Sequence, residues 1–379
     1  MSAMENVPRT RVLARRLRRQ HLADPSSDVL ATASRLTGLH AQVASATELM
    51  AAVRTPSYRL GGLDHALWTD GSMVKTWGMR GTLHLFPASE FPLLASAFRQ
   101  RQWPKFTPAW ERYHGVTPDD LRAITAAAGE VLPGRTLTRE ELAGEIAAAL
   151  DRPELAEAIR SGWGQMLKPA AAGGLLCFGP DRGRNVTFTD PRSQLPHAPW
   201  ADAPDTDAAI AVVVGRFLDT YGPATHEDFG RWWGIDAASA RKLFAQHSEA
   251  MVEVELDGRR AWTTPDALDQ LVAEDEARGV WLLPGFDPYV LAPSSHRAHT
   301  VPEGCLDRVS RTAGWISPVL MVNGVIRGVW SHELKSDRLR IVVEPFAPVD
   351  SATTNAAVRH AQRYAELFDA EADVAWQET

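Results

Sequence analysis

His40 and Gln42, separated by one small apolar residue in the stretch Thr37-Gly38-Leu39-His40-Ala41-Gln42-Val43-Ala44, are the side chains of this protein best placed to do chemistry. An imidazole with an ordinary pKa near 6.5 exchanges a proton close to neutrality. A carboxamide both donates and accepts hydrogen bonds. Residues i and i+2 lie about 200° apart around a helix, so a regular helix sends them to opposite faces. An extended or turning segment aims both the same way. The flanks permit such a break. Ser26 and Ser27 can cap a helix through Val29, Leu30, Ala33 and Leu36, and Gly38 is a natural stop for it. A second helical pattern (Ala44, Thr47, Leu49, Met50, Val53) follows. His40 and Gln42 are therefore expected in a bend between two helices, both facing whatever lies beside it. His-Ala-Gln also occurs by chance as a surface or satisfied core pair, so the rest of the chain has to decide.

A chain of 379 residues is too long for one ordinary core and predicts two or three domains. Its 45% hydrophobic and 23% charged content is that of a globular protein. No run approaches a membrane span and the N-terminus lacks a signal peptide's apolar core, so a cytoplasmic, nucleoid-associated protein without membrane contact is expected. Cys177 and Cys305 form neither a disulfide framework nor a zinc ligand set. A net charge of −7 argues against coating nucleic acid through bulk charge and leaves a local basic surface open. The basic residues are mostly arginine, which suits bidentate phosphate contacts.

The same element order comes three times. Residues 8–20 predict a helix with Val12, Leu13 and Leu17 inward and Arg11, Arg15, Arg18 and Arg19 mostly outward. After the bend, 60–68 reads as a short helix and 73–86 as paired strands ended by Pro87. Helices followed by a hairpin outline a winged-helix unit over residues 1–95. A second unit spans 96–192. It has a capped helix from Thr117, a capping box at Thr138/Glu141, a third helix over 153–171 and a hairpin over 175–189 with Arg182 and Arg184 at its tip. A Pro-rich linker (191–204) precedes a third unit at 205–272, with caps at Thr225 and Asp236 and a hairpin turning at Asp257-Gly258. Residues 280–350 read as a small β-barrel or sheet, including a hairpin turning at Asn323-Gly324, and 351–379 as a closing helix and frayed tail. The fold class expected is α+β: three tandem winged-helix units plus a C-terminal β-barrel-like domain.

Arg182, Arg184, Arg259 and Arg260 stand where a winged helix meets DNA backbone or minor groove. Arg297, Asn323 and Arg327 are added as expected DNA contacts. His296 and His299 are three apart, but no Asp, Glu or Cys partner stands at ligand spacing, so no metal and no cofactor is expected. His84, between Leu83 and Leu85, reads as a packing residue that can also line a cavity with His40. Trp232 and Trp233 read as core. There is no phosphate-cradling glycine loop, no Gly-x-Ser-x-Gly elbow and no CxxC.

Taken together, the His40-Ala41-Gln42 bend and the triple order make the chain resemble the AlkZ-like bacterial winged-helix DNA glycosylases, a family that includes azinomycin-resistance enzymes and related self-resistance proteins. The likeness runs over about residues 10 to 350. It is most specific in Leu36-Thr-Gly-Leu-His-Ala-Gln42, Arg80-Gly-Thr-Leu-His84 and Leu282-Leu-Pro-Gly-Phe-Asp-Pro-Tyr289. Members carry glutamine–apolar–glutamine or glutamine–apolar–aspartate as the catalytic motif; here Gln42 matches the second position and His40 replaces the first glutamine. The resemblance implies a C-shaped monomer around a DNA channel that hydrolyses the N-glycosidic bond of N7-alkylated guanine in duplex DNA and leaves an abasic site. Gln42 and His40 would hold the attacking water. Bulky or cross-linked adducts would be reached in an open cleft rather than by flipping into a tight pocket. Two other readings stand beside it: a non-catalytic winged-helix regulator, and a metal hydrolase using His40, His84 and His296.

Overall fold

A computed structural model describes residues 5–101, 106–160 and 164–377. The chain forms two compact units. Residues up to Gly62 fold with those from Val214 onward, and Leu63–Val213 forms the other unit. The first division falls inside the stretch 1–95 that reads as one unit in sequence. The second falls inside the helix Thr206–Tyr221 and not in the Pro-rich segment before it.

In the Leu63–Val213 unit, Met73–Trp77 and Leu83–Pro87 pair antiparallel from Met73↔Pro87 to Trp77↔Leu83. The helices Pro118–Val131 and Arg139–Ala149 each start in a capping box, Thr117 with Asp120 and Thr138 with Glu141. Reciprocal caps of this kind satisfy donors that a helix start leaves without partners. Leu121, Ile124, Leu142, Ile146, Ile159, Leu167, Phe178 and Phe188 build the core, and Trp77 packs into it. The third helix expected over 153–171 is not continuous: Leu155–Arg160 and Lys168–Ala172 are separate. Gly164, with φ of +72°, breaks the path, and a Cβ there would meet the Trp77 ring at 2.5 Å. Residues 161–163 of that expected helix lie outside the described residues. The hairpin Cys177–Arg182/Asn185–Thr189 follows, with Thr136–Thr138 paired on its far side.

The other unit opens with the helices Arg9–Arg19, Val29–Leu36 and Ala44–Arg54. Val12, Leu13 and Leu17 face inward as expected, but Arg15, expected outward, is 1% exposed. Its charge is compensated by Asp219, whose side-chain and backbone oxygens both accept from it. After Val214 come His226–Trp233, begun by a Thr225/Asp228 capping box, and Ala237–Gln246, capped by Asp236. The hairpin Val252–Leu256/Arg259–Thr263 turns on Asp257 and Gly258, both at positive φ as a two-residue primed turn requires. Glu5–Asn6 joins it in parallel. Trp232 and Trp233 are buried among Phe217 and Phe229.

The C-terminal β region is an open sheet of five strands: Val280–Leu283, Val319–Val322, Val325–Lys335, Arg338–Pro345 and Glu371–Trp376. The tail expected to fray is its last strand, running parallel to Arg338–Pro345 from Arg338↔Glu371 to Val343↔Trp376. Parallel neighbours need a crossover, and the helix Ser351–Leu367 supplies it. Its Ala357, Ala361, Tyr364 and Ala365 recur at helical spacing on the buried face, and the Tyr364 hydroxyl donates to the Leu282 carbonyl at 2.5 Å.

Candidate active site

The bend at His40 is built by local backbone chemistry. Asp28, not Ser26 or Ser27, caps the helix Val29–Leu36, accepting from the Leu30 and Ala31 amides. The Ser26 hydroxyl instead donates to the Asp28 carbonyl and accepts from the Asp28 amide. At the other end Thr37 takes the left-handed conformation (φ 57°, ψ 44°) and Gly38 follows at φ 104°. Its amide donates to the Ala33 carbonyl at 2.7 Å, closing the helix. Leu39–His40 is then extended for two residues, and Ala44–Arg54 begins without a side-chain cap. The Thr47 hydroxyl lies 3.0 Å from both the His40 and Val43 carbonyls, pinning the bend to the new helix.

The two candidate residues occupy different environments. His40 is 4% exposed and stacks on Phe286, ring centroids 4.9 Å apart and planes 9° from parallel. Gln42, past the end of the short strand, is exposed. The common direction expected of an i, i+2 pair requires that both lie in the extended segment. Only His40 does.

Behind the imidazole lies a support that sequence spacing did not reveal. Phe286 is held at φ +59°, a left-handed conformation that costs a non-glycine residue about 1–2 kcal/mol. Its neighbour Asp287 accepts two hydrogen bonds from Arg54, Nη1 to Oδ2 and Nη2 to Oδ1, each 2.8 Å, and both side chains are fully buried. The Asp287 carboxylate also accepts from the Tyr289 amide, and Arg54 Nε donates to the Gln20 carbonyl. Arg54 ends the helix that starts just after Gln42. The ion pair thus ties the far end of that helix to the loop bearing Phe286. Phe286 also meets Trp315 edge-on at 5.0 Å, and Trp315 is 46% exposed. Imidazole, phenyl and indole form a series from the interior to the surface. The only sequence signal for it was that Phe286 and Asp287 fall within Leu282–Tyr289.

The residues expected to contact DNA have different local surroundings. Arg182 pairs with Glu141 at 2.9 Å and donates to the Thr136 carbonyl, so its fork is largely engaged, while Arg184 is exposed. Arg259 is exposed, and Arg260 sits 3.4 Å from Glu253. Both line a groove of about 350 Å³ with Arg231, His296 and His299. Arg297 is half-buried, its pKa lowered by that burial and by Arg231. Asn323 accepts from the Gly279 amide through Oδ1, and Gly324 packs under Tyr289 and Leu13, so this turn is tied into the fold. Arg327 is exposed on the following strand.

His296 and His84 are both engaged within the fold. His296 accepts from Arg16 at Nδ1 and donates to the Pro223 carbonyl from Nε2, both at 3.0 Å. Burial, with Arg16 beside it, pushes its pKa down to about 3, so it is neutral. His84 is buried against Phe86 and donates from Nδ1 to the Thr82 carbonyl. Among the described residues no three His, Cys, Asp or Glu side chains gather as a ligand set.

The family described as DNA glycosylase AlkZ-like matches residues 33–367. A protein of Streptomyces sahachiroi named interstrand DNA cross-link repair glycosylase is 38% identical over 362 residues, covering 93% of this chain and 95% of that protein. The solved structure of Streptomyces sahachiroi DNA glycosylase AlkZ superposes with a TM-score of 0.88 at 34% identity, covering 98% of this chain and 100% of that one. In the described residues no helix is long and apolar enough to cross a membrane. The chain belongs to the AlkZ-like DNA glycosylase family.

Proposed function

We propose that this protein hydrolyses the N-glycosidic bond of N7-alkylated guanine in double-stranded DNA as a monofunctional, monomeric glycosylase. Alkylation at N7 makes the base cationic and therefore a good leaving group, so the enzyme needs no strong acid at the base. Water attacks C1′, the C1′–N9 bond breaks with its electron pair going to the base, and alkylguanine departs neutral. The sugar keeps the hydroxyl, and the water's second proton is lost to an acceptor.

Gln42, exposed at the bend, is the group that orients this water through its amide oxygen. His40, buried and stacked on Phe286, takes part from behind, as proton acceptor or by setting the bend. The observation that carries the reading is this bend, braced by Phe286 and the Arg54–Asp287 pair, in a chain of a DNA glycosylase family. The three helix-then-hairpin repeats are read as winged-helix units, with Arg184, Arg259 and Arg260 toward phosphate and Arg297 and Arg327 as outer contacts. The Streptomyces sahachiroi relative's name extends the substrate class to bulky and cross-linked N7 adducts.

Incubation with duplex carrying N7-methylguanine or a larger N7 adduct, scoring free base and abasic sites, tests the proposal. Release of the modified base without added cofactor is the expected result. Gel-shift binding without released base on either duplex would leave a non-catalytic winged-helix binder.

A further inference from the structure

The first helix and its neighbours gather more positive charge than their own packing compensates. Asp219 accepts from Arg15 Nη2 at 2.7 Å, from Arg35 Nη1 at 2.7 Å, and from Arg19 Nη2. Three guanidiniums thus share one carboxylate. A further acid, Glu274, is 2.8 Å from Arg18. Arg35 shows the crowding: burial lowers its pKa, and Arg19 and Arg216 beside it add to the fall.

The three arginines are not equivalent. Arg15 is buried and also bonds Gln270 and the Asp219 backbone, which is a structural role. Arg19 and Arg35 keep about a quarter and a third of their side-chain surface, 25% and 33%. Each meets Asp219 through a single amino group. Arg19 Nε is buried with no partner among the described residues. A guanidinium carries five N–H donors in a planar fork that matches phosphate, so most of these donors are not spent on Asp219.

We infer that Arg19 and Arg35, oriented by Asp219 and backed by Arg15, bind a phosphate of the DNA backbone. The naming of that phosphate as DNA's rests on the glycosylase reading. The carboxylate fixes both forks before any ligand arrives, and the surplus charge supplies the attraction. The support is rigid. The Thr220 hydroxyl donates to the Arg35 carbonyl and the Tyr221 hydroxyl to the Leu36 carbonyl, locking the helix end that carries Arg35 to the helix that carries Asp219. Arg35 precedes His40 by five residues, a span of at most about 17 Å of chain. That is about five base-pair steps at 3.4 Å each, so a duplex presented to the bend can reach the cluster.

The test is anisotropy of the full chain on an unmodified duplex, titrated with salt, with base release from an N7-methylguanine duplex scored separately. Each phosphate contact contributes about 0.9 to the slope of log affinity against log salt. Arg35→Gln and Arg19→Gln, each removing one of the two guanidiniums on that phosphate, are each expected to lower that slope by up to about 0.9 and to weaken binding equally on unrelated sequences. Arg35→Lys, which keeps the charge, should keep the slope. Unchanged slopes in both glutamine variants, with wild-type denaturation midpoints, overturn the site. Should Arg35→Gln fail to fold, Arg19→Gln decides alone. Competition by inorganic phosphate as effective as that by short duplex would overturn the assignment to DNA. Wild-type binding that shows the expected slopes but no base release would sink the glycosylase reading and leave this site standing.

Discussion

Arg54 and Asp287 meet through two 2.8 Å hydrogen bonds with no exposure on either side, joining the helix after Gln42 to the residue after Phe286. Breaking a buried pair leaves one charge without compensation, which costs about 3–5 kcal/mol, whereas replacing both partners with apolar residues is often neutral. Arg54→Met alone is therefore expected to lower the unfolding free energy by that much, read as a lower urea midpoint. The double variant Arg54→Met/Asp287→Leu should recover most of it. If the single and double variants unfold at the same midpoint, the pair is not what braces the Phe286 loop.

Gln42 sits at the surface, so its removal separates chemistry from folding. Gln42→Ala is expected to slow single-turnover release of N7-methylguanine by about 10²-fold, the cost of a misplaced water. Its stability should stay within about 0.5 kcal/mol of wild type. Wild-type release rates from the variant would remove Gln42 from the mechanism.

Phe286 acts on His40 by contact, at 4.9 Å and nearly parallel. An aromatic stack of this kind is worth about 0.5–1.5 kcal/mol beyond burial. Phe286→Leu keeps apolar bulk and should cost less than about 1.5 kcal/mol of stability. It is nonetheless expected to lower the single-turnover rate at saturating enzyme about tenfold, with duplex affinity unchanged. A loss in affinity with an unchanged rate would assign Phe286 to binding and not to the support of His40.

Acid should destabilise the fold through histidines held neutral. Burial pushes His360 down to about 4, and His296 lies lower still at about 3. In the unfolded chain both titrate near 6.5. Between those values the unfolded state binds more protons, so stability rises with pH across the window and is lost as pH falls from about 6.5 toward 4. His360→Leu should flatten that limb, by roughly 3 kcal/mol at its acid end. Denaturation midpoints measured at pH 7 and pH 4.5 check it, and a variant with the wild-type difference between the two would refute the assignment to His360.

What the sequence determined by itself is what neighbouring residues can settle among themselves. The capping boxes at Thr117, Thr138 and Thr225 and the primed turns at Asp257-Gly258 and Asn323-Gly324 are legible because their partners lie within about four residues and their backbone angles demand particular side chains. The bend at His40 was legible for the same reason, through Gly38. Its use was not. Burial decided that His40 faces Phe286 while Gln42 stays outside, and that depends on which loop packs behind the bend. Tertiary structure likewise decided that Arg54 meets a carboxylate 233 residues away, that three arginines close on Asp219, and that the last residues complete a sheet. Helix periodicity marks an arginine as facing outward whenever its partner is remote in sequence, because a charge can enter the interior only where the fold brings its counter-charge to meet it.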